Sequence, residues 1–284
     1  MKAEDHFYGS QFHFPIVGVE TFSRKEVVLG TCTLINISGR IFLITASHVV
    51  NERHNVLNKE LWIWNYSDGS KFTITEDIIG DPDSAEGTQH WSDVAVIELD
   101  ISRYSTFDNV EFWDNCFLKF DWLVSEMNIS TAENEEIVYA ICGYPSSKNK
   151  IIKSSYSKPE QLVFYTHKRD LPEFDGYQKI ADKLMLAVEW DDKKLEKKGA
   201  RLPRPQGVSG GGLWICSKQS EYNPRLAGVI VANIYSENVV VAVKTAYVIS
   251  LIKMYFPDVN IPESKVSVVP VGSPEFPSFA IPEQ

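Results

Sequence analysis

VVLGTCTLINISGRIFLITASHVV, residues 27–50, reads as two apolar strands on either side of an Asn-Ile-Ser-Gly turn, the second running into a histidine. β-branched and aromatic residues dominate both runs, and the turn between them reverses the chain. The same pattern continues through LWIWNYS (61–67), KFTITE (71–76) and VAVIELD (94–100), with a Ser-Asp-Gly turn between the first two. In the second half come EIVYAICGYP (136–145), QLVFYTH (161–167), KLMLAVEW (183–190), GGLWICSK (211–218), LAGVIVANIY (226–235) and NVVVAVKT (238–245). The clearest helix is TAYVISLIKMYF (245–256), with Thr245 expected as its N-cap and Pro257 just beyond its end. A short helical turn is also expected after His48. Closely spaced strands and one terminal helix predict an all-β protein made of two barrels or sandwiches. Segment 101–130, aromatic and acidic, takes no assignment. The Pro-containing tail 257–284 is expected to be extended or partly disordered.

Composition narrows the function. The 284 residues suit one large domain or two small lobes sharing a cleft. A hydrophobic fraction of 44% supplies a core, and a charged fraction of 23% without long single-sign runs excludes a disordered chain. The net charge of −10 argues against nucleic acid, whose phosphates need concentrated Lys and Arg, and against anionic lipid. MKAEDHFYGSQFHFP at the start has no apolar signal-peptide core, and no stretch approaches the roughly 18 apolar residues of a membrane span. The cysteines Cys32, Cys116, Cys142 and Cys216 lie far apart and read as free thiols in a reducing cytosol. A cytoplasmic location, no membrane, no metal and no cofactor are therefore expected.

The chemistry starts at GVSGG, 207–211. Glycines around a serine permit a tight turn and a close substrate approach. Chain order decides which reaction can use it. The nucleophile elbow of α/β-hydrolases needs a histidine after the serine, but the six histidines (6, 13, 48, 54, 90 and 167) all precede Ser209. The order acid, His, Ser would need an Asp ahead of its histidine, and only Asp5, in a polar tail, precedes His13 and His48. What remains is His, Asp, Ser. His48 ends the apolar strand FLITAS, and Asp93 opens the alternating strand in WSDVAVIELD. Singly, each reads as a core histidine or a turn aspartate; together, in order and at strand ends, they point to a charge-oriented nucleophile.

With these motifs the chain resembles the trypsin-like (chymotrypsin-fold) serine proteases, in a bacterial intracellular form. TASH (45–48) is similar to the family's T-A-A-H, SDVAVIEL (92–99) to its D-[IV]-A-[LV]-[IL]-x-L, and GVSGG to its G-D-S-G-G. LAGVIVA (226–232), the strand after it and the last helix are similar to the family's closing elements. The resemblance covers about 15–256. It implies two perpendicular six-stranded barrels, about 15–125 and 131–244, followed by the helix 245–256, with the site in the crevice between the barrels. It also implies Ser209 as nucleophile, His48 as general base and acid, Asp93 as its orienter, and an oxyanion hole from the N–H groups of Gly207 and Ser209. The substrate would be a protein or peptide.

Departures from the family shape the expectation. Val208 stands where digestive members carry the Asp that pairs with a new N-terminus; PIVGVE (15–20) resembles such a terminus, but Val208 gives it no charge and Pro15 obstructs cleavage before Ile16. Val49 follows His48 in place of a disulfide cysteine, and too few residues follow the helix for a PDZ domain. By position relative to Ser209, the specificity pocket falls near Pro203 and Gln206, with walls near Asn233 and Val239 and no acid at its floor. Val231, Ala232 and Asn233 would be the edge that pairs with substrate. The basic run KKLEKKGARLPR (193–204) reads as a solvated loop in preference to an acid-binding patch, and His167 as a strand-end residue. A cytosolic protease must be restrained, so narrow specificity or a regulatory protein partner is expected; related intracellular proteases resemble stress or defence effectors. The alternative is an inactive trypsin-fold module that only binds peptides.

Overall fold

A computed structural model describes residues 7–65, 71–77, 93–100, 118–119, 137–149, 159–173, 184–191, 202–217 and 224–261. The first half contributes β1 (His13–Val19), β2 (Glu26–Ile37), β3 (Arg40–Ala46), β4 (Trp62–Trp64), β5 (Lys71–Thr73), β6 (Val94–Leu99) and β7 (Leu118–Lys119). They form one curled sheet in the order β5-β4-β1-β2-β3-β6, with β7 pairing β2 in parallel and every other pairing antiparallel. The second half contributes β8 (Ile137–Gly143), β9 (Leu162–Thr166), β10 (Lys168–Arg169), β11 (Met185–Glu189), β12 (Gly212–Ser217), β13 (Arg225–Ile234) and β14 (Val239–Lys244). These make a second curled sheet, β10-β11-β14-β13-β12-β8-β9, all antiparallel. The fold is therefore the expected all-β arrangement of two curled sheets with a C-terminal helix, α2 (Thr245–Tyr255). Among the described residues each half-barrel has seven strands, the short β7 and β10 included, where six were expected.

The apolar runs read from sequence are buried as expected. Leu34, Ile35, Phe42, Leu43, Ile44, Ile97, Ile141, Leu213, Val240 and Val243 are fully buried, and one core cluster draws side chains from both sheets and from α2. The ends of the strands read at 27–36, 40–47, 94–100 and 238–245 shift by one residue at most. Among the described residues no helix is long and apolar enough to cross a membrane.

Three local expectations need correction. The first barrel was expected to open at about 15, yet His13 is already fully buried and opens β1. Its neighbours Phe12, Phe14 and Ile16 are apolar and buried, so a strand of alternating and continuous apolar character wins over the polar start. Thr245 is not the N-cap of α2: that position is Lys244, and the Thr245 hydroxyl is shared between the carbonyls of Leu226 and Ala227, 3.2 Å from each. The tail does not begin at 257, because Val259 and Ile261 are buried in the core and Asn260 O accepts from the Ser38 hydroxyl at 2.5 Å. Residues 262–284, most of 101–130, Cys116 and the basic stretch 193–201 lie outside the described residues. Cys32 and Cys142 are buried free thiols and Cys216 is half-buried; burial raises all three, Cys216 to about 12.

Candidate active site

β3 delivers His48. Its last residue, Ala46, is extended, and the chain then turns into the short helix α1 (Ser47–Asn51), so the imidazole emerges where strand becomes helix. Asp93 sits opposite, immediately before β6, whose Val94 pairs with Ala46. Asp93 adopts φ +51°, a left-handed conformation that Asp tolerates better than most residues. From there it makes three bonds to the 47–48 turn. Its carbonyl accepts from Ser47 N–H at 2.9 Å, Oδ1 from His48 N–H at 2.9 Å, and Oδ2 lies 2.5 Å from His48 Nδ1.

A carboxylate only accepts, so Nδ1 carries the proton and Nε2 keeps its lone pair for a base's work. The His48 side chain is 49% exposed and that of Asp93 is 20% exposed. Burial of the ring pulls its pKa down, but the hydrogen bond and charge of Asp93, with Glu52 behind it, outweigh that pull and leave it raised.

The second sheet supplies the serine. Residues 205–211 form a compact turn before β12, with Gly207 at φ +88° and Gly210 at φ +83°. The turn rests on β2. Thr31 N–H donates to Ser209 O at 2.8 Å, and Thr31 O accepts from the Thr45 hydroxyl at 2.7 Å. Thr45 is on β3, three residues ahead of His48. A methyl group added at Gly210 would lie 1.9 Å from Thr31 O and 2.2 Å from Thr45 Oγ1, so the serine turn touches the end of the strand that carries His48. Ser209 is half-buried. No hydrogen bond joins its hydroxyl to His48 in this structure.

Backbone bonding in this turn is asymmetric. Val208 N–H donates to Pro205 O (2.9 Å), Gly210 N–H to Ile230 O (2.7 Å) and Gly211 N–H to Val208 O (2.8 Å). The N–H groups of Gly207 and Ser209 donate to no acceptor among the described residues. Along the turn, the N–H groups without an acceptor among the described residues, at 207 and 209, thus alternate with the bonded ones at 208 and 210.

β13 borders the turn. Ile230 exchanges bonds with Gly210 and Gly211, and β12 pairs with β13 only as far as Val229. Val231, Ala232 and Asn233 therefore continue past β12 as an edge that, among the described residues, pairs only with β14, and a bulge between Ile230 and Ala232 bends it. Val231 and Val239 themselves are buried in the main core, while Ala232 and Asn233 are half-buried. The Asn233 side-chain nitrogen is buried without a hydrogen-bond partner. Pro203 is half-buried and Gln206 exposed on the segment leading into the turn. His167 is exposed between β9 and β10. No group of three or more His, Cys, Asp or Glu among the described residues is placed to hold a metal.

Sequence reasoning missed the side chains that carry the turn. Thr31 and Thr33, two apart and so on one face of β2, both reach it: Thr31 Oγ1 donates to Gly207 O at 2.8 Å and Thr33 Oγ1 to Gly210 O at 3.2 Å. His13 stands across from Thr33, with Nδ1 2.9 Å from its hydroxyl. The available signal was polar residues recurring at period two within the apolar run LGTCTLIN. Ile16, the residue of PIVGVE that resembles a processed terminus, is fully buried in mid-strand and pairs with both Gly30 and Ile63.

No family model and no curated protein sequence matches the chain. Among solved structures it is similar to the protease Anisep from Arthrobacter nicotinovorans, at 11% identity and TM-score 0.49, covering 84% of this chain and 91% of that one. The active form of the Rv3671c protease from M. tuberculosis aligns at 15% identity and TM-score 0.47, covering 92% and 87%. The thermostable serine protease AL20 from an extremophilic microorganism aligns at 12% identity and TM-score 0.48, covering 84% and 92%.

Proposed function

We propose that the protein is a serine endopeptidase acting through His48, Asp93 and Ser209. The observation that carries this reading is the His48 Nδ1–Asp93 bond at 2.5 Å, with the serine turn seated against the strand that delivers His48. In the proposed reaction Ser209 Oγ attacks the substrate carbonyl carbon and its proton passes to His48 Nε2. Asp93 stabilises the imidazolium. The carbonyl oxygen, now negative, takes the unspent N–H groups of Gly207 and Ser209. Collapse breaks the C–N bond, His48 returns the proton to the leaving amine, and an acyl-enzyme on Ser209 remains for water to hydrolyse. The edge at Val231–Asn233, beyond the reach of β12, suits pairing with an extended substrate backbone.

Activation by a new N-terminus at Ile16 is not part of this reading. That residue lies inside a central strand, and Val208 is fully buried without a charge to offer it. Restraint is then expected to come from narrow specificity or from a regulatory protein partner, in a cytoplasmic setting.

Fluorophosphonate labelling tests the reading. Adduct on Ser209, found by mass spectrometry and absent from Ser209→Ala, supports it, and a peptide-library cleavage profile comparing the two proteins gives the side-chain preference. A folded wild type that takes no label favours the second reading, an inactive peptide-binding module, for which the missing Ser209–His48 hydrogen bond is the observation.

A further inference from the structure

The carbonyls of the serine turn are tied down one after another, and three of them, those of Gln206, Gly207 and Gly210, accept from hydroxyl side chains outside the turn. Gln206 O accepts from Ser146 N–H at 2.7 Å and from the Ser146 hydroxyl at 3.1 Å. Gly207 O accepts from the Thr31 hydroxyl at 2.8 Å. Thr31 Oγ1 in turn accepts from Tyr144 N–H at 2.9 Å, so one hydroxyl joins β2, the segment after β8 and the serine turn. Thr31 is fully buried, and its hydroxyl and both backbone groups are all engaged.

A trans peptide is planar, so fixing a carbonyl on one side sends the attached N–H the opposite way. Holding Gln206 O on Ser146 therefore aims Gly207 N–H away from the 144–146 segment. Gly207 has no freedom to pivot on that side: a methyl there would meet Ser146 N at 2.5 Å and Tyr144 O at 2.6 Å. Asn149 braces the segment itself, donating to Pro145 O at 2.8 Å and accepting from Glu160 N–H at 2.7 Å. Val208 fills the space beneath, fully buried, its Cγ1 3.0 Å from where a methyl on Gly143 would stand.

We propose that Thr31 and Ser146 are positioning residues whose hydroxyls hold the Gln206–Gly207–Val208 peptides with the Gly207 N–H facing the reacting carbonyl. The donor pair is then formed in the free chain by neutral hydrogen bonds and needs no charged partner for Val208. This rests on the protease reading for its chemistry, but the orientation of the peptides can be measured apart from it.

Thr31→Val keeps shape and loses the hydroxyl, whereas Thr31→Ser keeps it. The second-order rate of fluorophosphonate labelling, normalised to folded protein, is expected to fall on the order of 10- to 100-fold in Thr31→Val, within the range for a damaged oxyanion donor. It should recover to within about threefold of wild type in Thr31→Ser, since the hydroxyl is restored. The pH at which the rate is half-maximal should stay put in Thr31→Val, because the His48–Asp93 bond is untouched. Ser146→Ala, which leaves Ser146 N–H in place, should show a smaller fall and serves if Thr31→Val does not fold. Wild-type rates in folded Thr31→Val and Ser146→Ala, or a shifted pH midpoint, overturn the proposal. If wild-type protein takes no label, the protease reading fails, and amide exchange then decides the lock. Loss of protection at Val208 N–H in Thr31→Val, with Thr31→Ser like wild type, upholds it, and unchanged protection overturns it.

Discussion

Trp214, on the second sheet, donates its indole N–H to Nε2 of His13, on the first, at 2.9 Å. An indole only donates, so Nε2 accepts and the proton of His13 sits on Nδ1. Nδ1 donates to the Thr33 hydroxyl, which donates to Gly210 O, one residue past Ser209. A single directed chain of hydrogen bonds thus runs from the second sheet through the first and back to the serine turn, and it needs His13 neutral.

Acid should therefore weaken the fold through His13. Burial pulls its pKa down to about 3, with a bond to the Cys32 backbone opposing, while the unfolded ring titrates at 6.5. A lowered folded value means stability that is whole above the unfolded pKa and is lost as pH falls toward the folded one. Between about pH 6.5 and pH 4 the unfolding free energy should drop by up to about 1.4 kcal/mol per pH unit from this group. Urea unfolding of wild type and His13→Gln across that range checks it: the slope should be shallower by about one proton in the variant.

For His48 the sign is opposite and the readout is rate. Its pKa is raised, and only the neutral ring can take the Ser209 proton, so labelling of Ser209 should rise with pH through a midpoint above the ordinary histidine value. Asp93→Asn removes the charge-assisted bond and the charge that do most to raise it, leaving burial opposed by Glu52 alone. The midpoint should move to lower pH, and the plateau should fall on the order of 10³- to 10⁴-fold. An unmoved midpoint in Asp93→Asn would deny that the carboxylate sets the ring's basicity.

Gly210→Ala should be among the most damaging single methyl additions. The residue holds φ +83°, and the new carbon would collide with the Thr31 carbonyl and the Thr45 hydroxyl. Strain and collision together should cost about 3 kcal/mol or more, read as a lowered urea midpoint or failure to fold. Gly39, at φ +86° with nothing within 4 Å of an added methyl, is the control. Gly39→Ala should cost only about 1 kcal/mol, the left-handed backbone alone.

Arg40 ties the segment just after α2 to the first sheet. It grips Glu98 with two bonds, at 2.5 and 2.7 Å, reaches Asp258 at 2.8 Å, and stacks near Phe42 and Phe256. The guanidinium is partly exposed, so screening discounts the charge and the expected cost of Arg40→Ala is about 1–2 kcal/mol, much of it lost packing. Asp258→Asn, at a largely exposed side chain, should leave the urea midpoint where it is.

Much of the fold was legible because its strands are dense in β-branched and apolar residues, with turn residues between them. VVLGTCTLIN and NVVVAVKT have no other stable use than strands in a core. β1 was harder: Pro15 and Gly18 interrupt its pattern, and His13 at its head resembles a surface residue until Trp214 and Thr33 are seen to satisfy it. Thr245 looked like a cap because a threonine precedes an apolar helix, yet two carbonyls of β13 claim its hydroxyl.

The sequence by itself determined the candidate chemistry and its order along the chain: a histidine ending one strand, an aspartate opening another, and a serine between glycines far downstream, with every histidine ahead of it. Local residue preferences and chain order are one-dimensional properties, so they can be read before folding. Only the tertiary structure decided what holds these groups, because a hydroxyl on β2 at Thr31 finds Gly207 across 176 residues of chain, and no local pattern encodes a partner that distant.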